Sequence, residues 1–136
     1  MTDSHMHTLG KTTLSGAEPQ LFVLDIASCI EFYVRKLGFA VAFTYGEPPF
    51  YAQVFRDGAR LNLRHVDAPI FNPALRDREQ VLSATITLAD AEALYHEYQA
   101  AGVGFVQPLK TEPWGARTFI VRDPDGNSIL FAGHGE

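Results

Sequence analysis

The sequence is short of cysteine, of cationic residues and of long apolar runs. Its 136 residues include one cysteine, Cys29, which excludes an intrachain disulfide or a thiolate zinc site and favours a reducing compartment. Lysine and arginine total 11 against 16 aspartate and glutamate residues, and the net charge of -5 disfavours nucleic acid and anionic membranes as partners. No apolar run is long enough to span a bilayer or form a secretory signal. We therefore expect a cytoplasmic protein with neither nucleic acid nor membrane as a partner.

The chain nevertheless has enough apolar sequence for a substantial core, since 46% of its residues are hydrophobic. Residues 1–17 are polar and show no periodicity, so we expect a flexible N-terminal tail. The remaining residues, 18–136, are predicted to form a single domain.

The second half of the sequence repeats the first. Asp25 opens an apolar-periodic stretch that ends at Gly38, and Asp90 opens a similar one that ends at Gly102. Each half closes on an Asp-Gly pair followed by an alternating strand. The repeat predicts a β-α-β-β-β order in both halves: module one at 18–66, a connector with about one helical turn at 67–82, and module two at 83–133.

The periodicity places the predicted elements along each half. Asp25 and Asp90 are suitable N-caps, and Gly38 fits the end of the first helix. Strands are predicted at 20–24, 39–45, 50–56, 59–66, 83–88, 104–109, 116–122 and 127–132. Buried helix positions are predicted to be Ile26, Cys29, Ile30, Tyr33, Val34 and Leu37 in one half, and Ala91, Leu94, Tyr95, Tyr98 and Ala101 in the other.

Strand alternation separates two faces in each module. Leu61 and Leu63 match Ile129 and Phe131, and these residues should pack under the helices. The alternate residues then face the other way and form an open concave face. The predicted fold class is therefore α+β: two tandem βαβββ modules forming a curved, cleft-bearing mixed sheet with helices on the outer face.

This pattern resembles the vicinal oxygen chelate superfamily, whose members include glyoxalase I, extradiol dioxygenases, fosfomycin-resistance enzymes and bleomycin-resistance proteins. The likeness covers about 20–132. The residues that carry it are 23–26, Phe32-Tyr33, 37–39, Pro113-Trp114-Gly115, Arg117, Phe119 and 121–127. The run Asp-Pro-Asp-Gly-Asn at 123–127 is typical of the fold but says little about chemistry, since Asp123 and Asp125 are expected to form the turn.

The resemblance also implies where metal ligands would lie in metal-using members, namely at Glu18, Asn62, Ser83 and Leu130. A divalent ion requires three or four His, Asp or Glu donors, and only Glu18 is one of these. We therefore expect no metal ion and no other cofactor, as in the bleomycin-resistance-like branch. The alternative is a divalent metal ion at an atypical site, in a lyase, isomerase or dioxygenase of the glyoxalase or extradiol dioxygenase type.

No catalytic residue is assigned. His65 is expected to face away from the cleft, and His96 lies on the polar side of its helix. Neither a Ser-His-Asp nor a Cys-His arrangement is recognisable in the sequence. This favours a non-catalytic protein that sequesters a small molecule.

The candidate ligand-binding residues combine aromatic, amide and guanidinium side chains. Trp114 is either a stacking plate for a planar ligand or a clasp between modules, and the strand face of Arg117 is open. Contact with arginines implies a ligand with a carboxylate or phosphate, whereas a bleomycin-like ligand is cationic, and the sequence leaves both possibilities. The full set is Gln20, Phe22, Tyr45, Phe50, Tyr51, Arg60, Asn62, Arg64, Trp114 and Arg117. The resemblance further implies a homodimer whose modules complete one another's clefts.

Overall fold

The computed structural model describes residues 11–134 and divides them into two similar halves. The first half contains β1 (Gln20–Val23), α1 (Ile26–Arg35), β2 (Ala40–Tyr45), β3 (Tyr51–Arg56) and β4 (Ala59–His65). A short helix, α2 (Pro73–Glu79), lies in the connector. The second half contains β5 (Ala84–Leu88), α3 (Ala91–Ala100), β6 (Phe105–Thr111), β7 (Arg117–Arg122) and β8 (Ser128–Gly133).

The strands form two four-stranded sheets of identical topology. Sheet 1 has the order β1-β4-β3-β2, and sheet 2 has the order β5-β8-β7-β6. In each sheet the first pair is parallel and the others are antiparallel. The predicted fold class of two tandem βαβββ modules is confirmed.

The same local signals start and end the two long helices. The Asp25 carboxylate accepts a hydrogen bond from the Ser28 amide at 3.2 Å, and Asp90 accepts one from Ala93 at 3.0 Å. Gly38 and Gly102 follow the helices with φ of 76° and 79°, a conformation that favours glycine. These caps explain why both helices occupy equivalent places in the repeat.

Helices α1 and α3 lie between the two sheets and share one core. α1 packs on β2, β3 and β4, and α3 packs on β6, β7 and β8. The Tyr98 hydroxyl of α3 donates to the Leu37 carbonyl, just after α1, at 2.8 Å. The helical faces of the two sheets are therefore turned toward each other, and the opposite, concave-side faces point outward. The predicted cleft on the concave side does not lie between the two modules of one chain, because both apolar helix stripes bury themselves in the common core.

Most of the predicted core is buried, with one correction. Cys29, Tyr33, Tyr98, Leu61 and Phe131 are all fully or almost fully inaccessible. Val34 was expected to be buried but is 38% exposed. At ~100° per residue it lies at the edge of the stripe centred on Ile26, Tyr33 and Leu37.

The connector and the N-terminal tail lie outside the two modules. The connector was expected to hold about one helical turn and instead holds α2, which Asn72 caps through the Leu75 amide at 3.1 Å. The predicted tail falls mostly outside the described residues: positions 1–10 are not described, and 11–17 contain no helix or strand. Within residues 11–134, no helix is both long and apolar enough to cross a membrane.

Candidate functional site

Seven of the predicted ligand-binding residues lie together on the outward face of sheet 1. Arg60, Asn62 and Arg64 alternate with the buried Leu61 and Leu63 along β4, so they point away from the core. Strand β1 adds Gln20 opposite Asn62 and Phe22 opposite Arg64. We call this surface the sheet-1 face. Its residues are Gln20, Phe22, Phe43, Tyr45, Tyr51, Gln53, Phe55, Arg60, Asn62 and Arg64.

A hydrogen-bonded network of amides occupies the middle of the sheet-1 face. The Gln53 side-chain amide donates to Asn62 Oδ1 at 2.8 Å and to Glu18 Oε1 at 3.1 Å. Asn62 Nδ2 also donates to Glu18 Oε1 at 3.3 Å. Gln53 is only 7% exposed, so its polar atoms need these partners. The network fixes the amide groups in the floor of the face.

Aromatic rings flank an arginine on the next row of the same face. Arg64 lies opposite Phe22 on one side and Tyr51 on the other, and Tyr51 in turn lies opposite Tyr45. The Tyr51 hydroxyl donates to Gln20 Oε1 at 3.4 Å. The ring of Phe43 lies 5.5 Å from that of Tyr45 and 6.1 Å from that of Tyr51. This row provides a surface on which a planar ligand can stack.

Arg60 is held in place at the other end of the sheet-1 face. Its guanidinium donates to Gln53 Oε1 at 2.9 Å and lies 5.2 Å from the centre of the Phe55 ring. These two contacts leave part of the guanidinium fork available to a ligand.

Gln53, Phe43 and Phe55 belong to this face but were missed in the sequence analysis. Their positions on β2 and β3 carry the same signal that identified Arg60 and Asn62. In β3, Ala52 and Val54 are buried, so Gln53 and Phe55 must point outward.

Three of the predicted ligand-binding residues lie outside the sheet-1 face. Phe50 lies in the turn before β3 and covers Gly46, and it is largely exposed. Trp114 is 75% exposed in the β6–β7 turn of the other module. Arg117 lies on the helical side of sheet 2, where its guanidinium is 3.3 Å from Glu92 of α3. The open question of its strand face is thus answered, because Arg117 alternates in phase with the buried Phe119 and Val121.

The two histidines singled out in the sequence have structural partners. The His65 ring contacts the Leu24 carbonyl at 2.9 Å and the Asp67 carboxylate at 3.0 Å. His96 is exposed on α3 and contacts Gln99 at 3.0 Å. Neither lies on the sheet-1 face.

The outward face of sheet 2 has a different chemistry. Residues at the positions equivalent to the sheet-1 face are mainly aliphatic or hydroxylic. Thr118 donates to Glu112 at 2.8 Å, and Arg122 is paired with Asp77 of the connector at 3.2 Å. We call this surface the sheet-2 face. Its residues are Thr85, Thr87, Gln107, Thr118, Ile120, Arg122, Ser128, Leu130 and Ala132.

The four positions implied for a metal ion do not fit one. Glu18 already accepts the two amide hydrogen bonds described above, and Asn62 is engaged in the same network. Ser83 donates to Asn127 at 3.1 Å, and Leu130 has no donor atom. Glu18 and Asn62 belong to the first half and the other two to the second half. Over residues 11–134, no group of three or more His, Cys, Asp or Glu residues is arranged to share an ion.

The Asp-Pro-Asp-Gly-Asn turn has a larger structural role than turn formation. Asp123 is buried and accepts hydrogen bonds from the Tyr33 hydroxyl at 3.0 Å, from Asn127 Nδ2 at 2.9 Å and from the amides of Asp125 and Asn127. Burial raises the pKa of Asp123 above its ordinary value, although these hydrogen bonds oppose the rise. Burial and the Asp123 charge also raise the pKa of the Cys29 thiol, which makes it unsuited to nucleophilic chemistry.

A separate crevice opens between the modules beside α3. Its volume is about 680 Å³, and its lining includes Phe39, Leu61, Leu94, Tyr98 and the Arg56–Glu97 ion pair. Arg60 is the one predicted ligand-binding residue on its wall. The crevice therefore differs from the predicted concave surface, although its lining also includes Thr85 and Thr87 of the sheet-2 face.

Comparisons with known proteins agree with this architecture. The family model described as "Glyoxalase/Bleomycin resistance protein/Dioxygenase superfamily" matches residues 9–131. A comparison with curated proteins gave no match.

Among solved structures, the bleomycin-binding protein of bleomycin-producing Streptomyces verticillus, complexed with copper(II)-bleomycin, is 29% identical with a TM-score of 0.71. That match covers 92% of this chain and 99% of the other. The crystal structure of UcmS2 is 26% identical, covers 89% and 98% of the two chains and has a TM-score of 0.69. A bleomycin resistance determinant encoded on the transposon Tn5 is 19% identical, covers 89% and 98%, and has a TM-score of 0.69, which shows a shared fold.

Proposed function

Because this chain belongs to the glyoxalase/bleomycin resistance protein/dioxygenase superfamily, we propose that it binds and sequesters a small molecule on the sheet-1 face without a metal ion. The proposal places the protein in the bleomycin-resistance-like branch of the family. Binding of this kind requires stacking surfaces, fixed polar anchors and exclusion of water, but no reactive group.

The observation that carries this proposal is the amide network at the implied metal positions. Glu18 and Asn62 are tied to Gln53 and to each other, so an incoming cation would have to break hydrogen bonds rather than enter an open ligand set. In sheet 2 the equivalent of Asn62 is Leu130, which cannot ligate. Lewis-acid polarisation of a substrate would then have no support from these residues.

The similarity to the Streptomyces verticillus bleomycin-binding protein supports a binding role over nearly the whole chain. That protein is complexed with copper(II)-bleomycin. In this chain, the aromatic row of the sheet-1 face provides stacking surface for a planar group.

We further propose that the working unit is a homodimer. The sheet-1 and sheet-2 faces point outward on opposite sides of the common core, so one chain covers a ligand on one side only. A well-held small ligand usually has most of its surface buried. The sheet-2 face of a second copy, which is mainly aliphatic or hydroxylic, would complete the pocket over the aromatic and amide side chains of the sheet-1 face. The cytoplasmic location stays a prediction from the sequence.

The alternative is a metal-dependent lyase, isomerase or dioxygenase with an atypical site. Elemental analysis of the purified protein distinguishes this alternative from the proposal. Nickel, zinc, iron and manganese are each added in turn, and unbound metal is removed by gel filtration before the measurement. The proposal expects less than stoichiometric metal in every case. A stoichiometric ion lost on Glu18→Gln would favour the enzyme.

The binding role itself is tested by thermal-shift screening of the full chain against planar aromatic compounds and bleomycin. A ligand at ~100 times its dissociation constant should add ~2.7 kcal/mol of stability. Tyr51→Ala should weaken binding about tenfold through loss of the stacking ring. His96→Ala, an exposed change on α3, should leave binding unchanged. Binding that is insensitive to Tyr51→Ala, or no hit at all, would contradict a site on the sheet-1 face.

A further inference from the structure

The sheet-1 face carries a charge opposite to that of the whole protein. The chain has a net charge of -5, yet this face presents two guanidinium groups, Arg60 and Arg64. The carboxylate beside them, Glu18, already accepts hydrogen bonds from Gln53 and Asn62. The local excess of positive charge therefore lies where the aromatic rings also gather.

The two arginines are not equivalent. Arg60 is bonded to Gln53, whose amide also donates to Glu18, so an anion at Arg60 would approach a carboxylate. Arg64 lies two rows further along the face, and within residues 11–134 it has neither an ion pair nor a side-chain hydrogen bond. Each of its strand neighbours on this face is aromatic.

We propose that the sheet-1 face selects an acidic planar ligand, with its carboxylate or phosphate on the Arg64 guanidinium and its ring against Tyr51 and Tyr45. This inference rests on the proposed function and specifies the ligand class for the same site. Because the Arg64 side chain is exposed, its guanidinium is accessible to an anion and can form a charge-assisted hydrogen bond with it. The guanidinium fork can bind both oxygens of such a group at once, whereas it would repel an ammonium group.

The proposal can be tested with three probes of one shape and different charge: 2-naphthoate, 2-naphthamide and 2-naphthylmethylammonium. Amide chemical-shift titrations of the full chain give both the affinity and the location of each probe. A charge-assisted bond predicts that naphthoate binds about tenfold more tightly than the ammonium probe. The amide shifts should centre on Phe22, Tyr51 and Arg64.

The matched variants are Arg64→Gln, Arg64→Lys and Arg78→Gln. Arg64→Gln should abolish the preference for naphthoate while the binding of naphthamide changes little. Arg64→Lys should retain a weakened preference, because it keeps the charge without the fork. Arg78→Gln removes an exposed arginine of α2, which pairs with Glu79, and should have no effect.

The outcomes distinguish this inference from the proposed function. If naphthamide or the ammonium probe binds the sheet-1 face as tightly as naphthoate, the acidic-ligand inference is wrong and the binding function stands. An unchanged probe ratio in Arg64→Gln also overturns it. If none of the three probes changes the amide chemical shifts of this face, the inference is wrong. The thermal-shift screen then tests the binding function independently.

Discussion

Sheet 1 and sheet 2 have the same strand order and helix packing, but they present different side chains on their outward faces. In sheet 1 the central row contains Asn62 next to Gln53, a hydrogen-bonded amide pair. The equivalent row in sheet 2 contains Leu130 next to Ile120. The cores remained alike because both must bury a helix, whereas the outward faces carry no such requirement. The outward faces of the two halves can therefore differ in chemistry while the fold stays the same.

The closing turns of the two modules differ in the same way. Asp57-Gly58 is an exposed two-residue turn whose Asp57 has a φ of 51°. The turn at 123–127 is largely buried and makes hydrogen bonds to module one through Asp123, Asp125 and Asn127. One turn therefore only reverses the chain, and the other also joins the two halves.

The largest expected effect is on the free energy of unfolding, when the first aspartate of each turn is replaced by asparagine. Asp123→Asn should lower the free energy of unfolding by about 3 kcal/mol, because an amide placed there puts donors against the Tyr33 hydroxyl and the Asn127 amide. Asp57→Asn should change it by less than about 0.5 kcal/mol, since asparagine tolerates the left-handed conformation. Urea denaturation measures both. Equal losses would show that the two turns have the same role.

The second comparison uses the tyrosines at equivalent positions of α1 and α3. Tyr33 donates to the Asp123 carboxylate, and Tyr98 donates to the Leu37 carbonyl, which also accepts from Arg56 at 2.9 Å. Tyr33→Phe should therefore cost about 2 kcal/mol and Tyr98→Phe about 1 kcal/mol, because a bond to a charged acceptor is stronger. Chemical denaturation of the two variants gives the order. A greater loss for Tyr98→Phe would contradict the charge argument.

The smallest effect is expected when the sheet-1 row is converted to its sheet-2 equivalent. Gln53→Ile alone should cost about 1 kcal/mol, since Asn62 and Arg60 lose a partner. Gln53→Ile combined with Asn62→Leu should cost no more than the single change, because both amides are then removed. A double-mutant cycle measures the coupling. Strictly additive losses would mean that the amide pair contributes nothing as a pair.

Local signals in the sequence were sufficient to predict the elements of the fold. Aspartate caps, glycines after the helices and Asp-Gly turns placed most strand and helix ends within two residues of their positions in the structure. Alternation along β1 and β4 also placed Gln20, Phe22, Arg60, Asn62 and Arg64 on one face. These features depend on residues that are close together in the sequence, so the sequence alone predicts them.

The arrangement of the modules and part of the site could not be predicted in this way. No local pattern indicates that α1 and α3 pack into one core, or that Asp123 meets Tyr33 from the other half. The sequence analysis left the side of Arg117 open, and the burial of Phe119 and Val121 in the structure determines it. Gln53 was overlooked because it sits among apolar neighbours, although its alternation with Ala52 and Val54 was visible.

The hydrogen bonds from the 123–127 turn to β1 make the position of the sheet-1 face in one half dependent on a loop of the other half. Asn127 Nδ2 donates to the Phe22 carbonyl at 3.2 Å, and Asp125 accepts from the Leu24 amide at 2.7 Å. The backbone on either side of the Phe22 ring is thereby anchored by residues a hundred positions away. A substitution in that loop should therefore displace the Phe22 ring without changing any residue of the sheet-1 face.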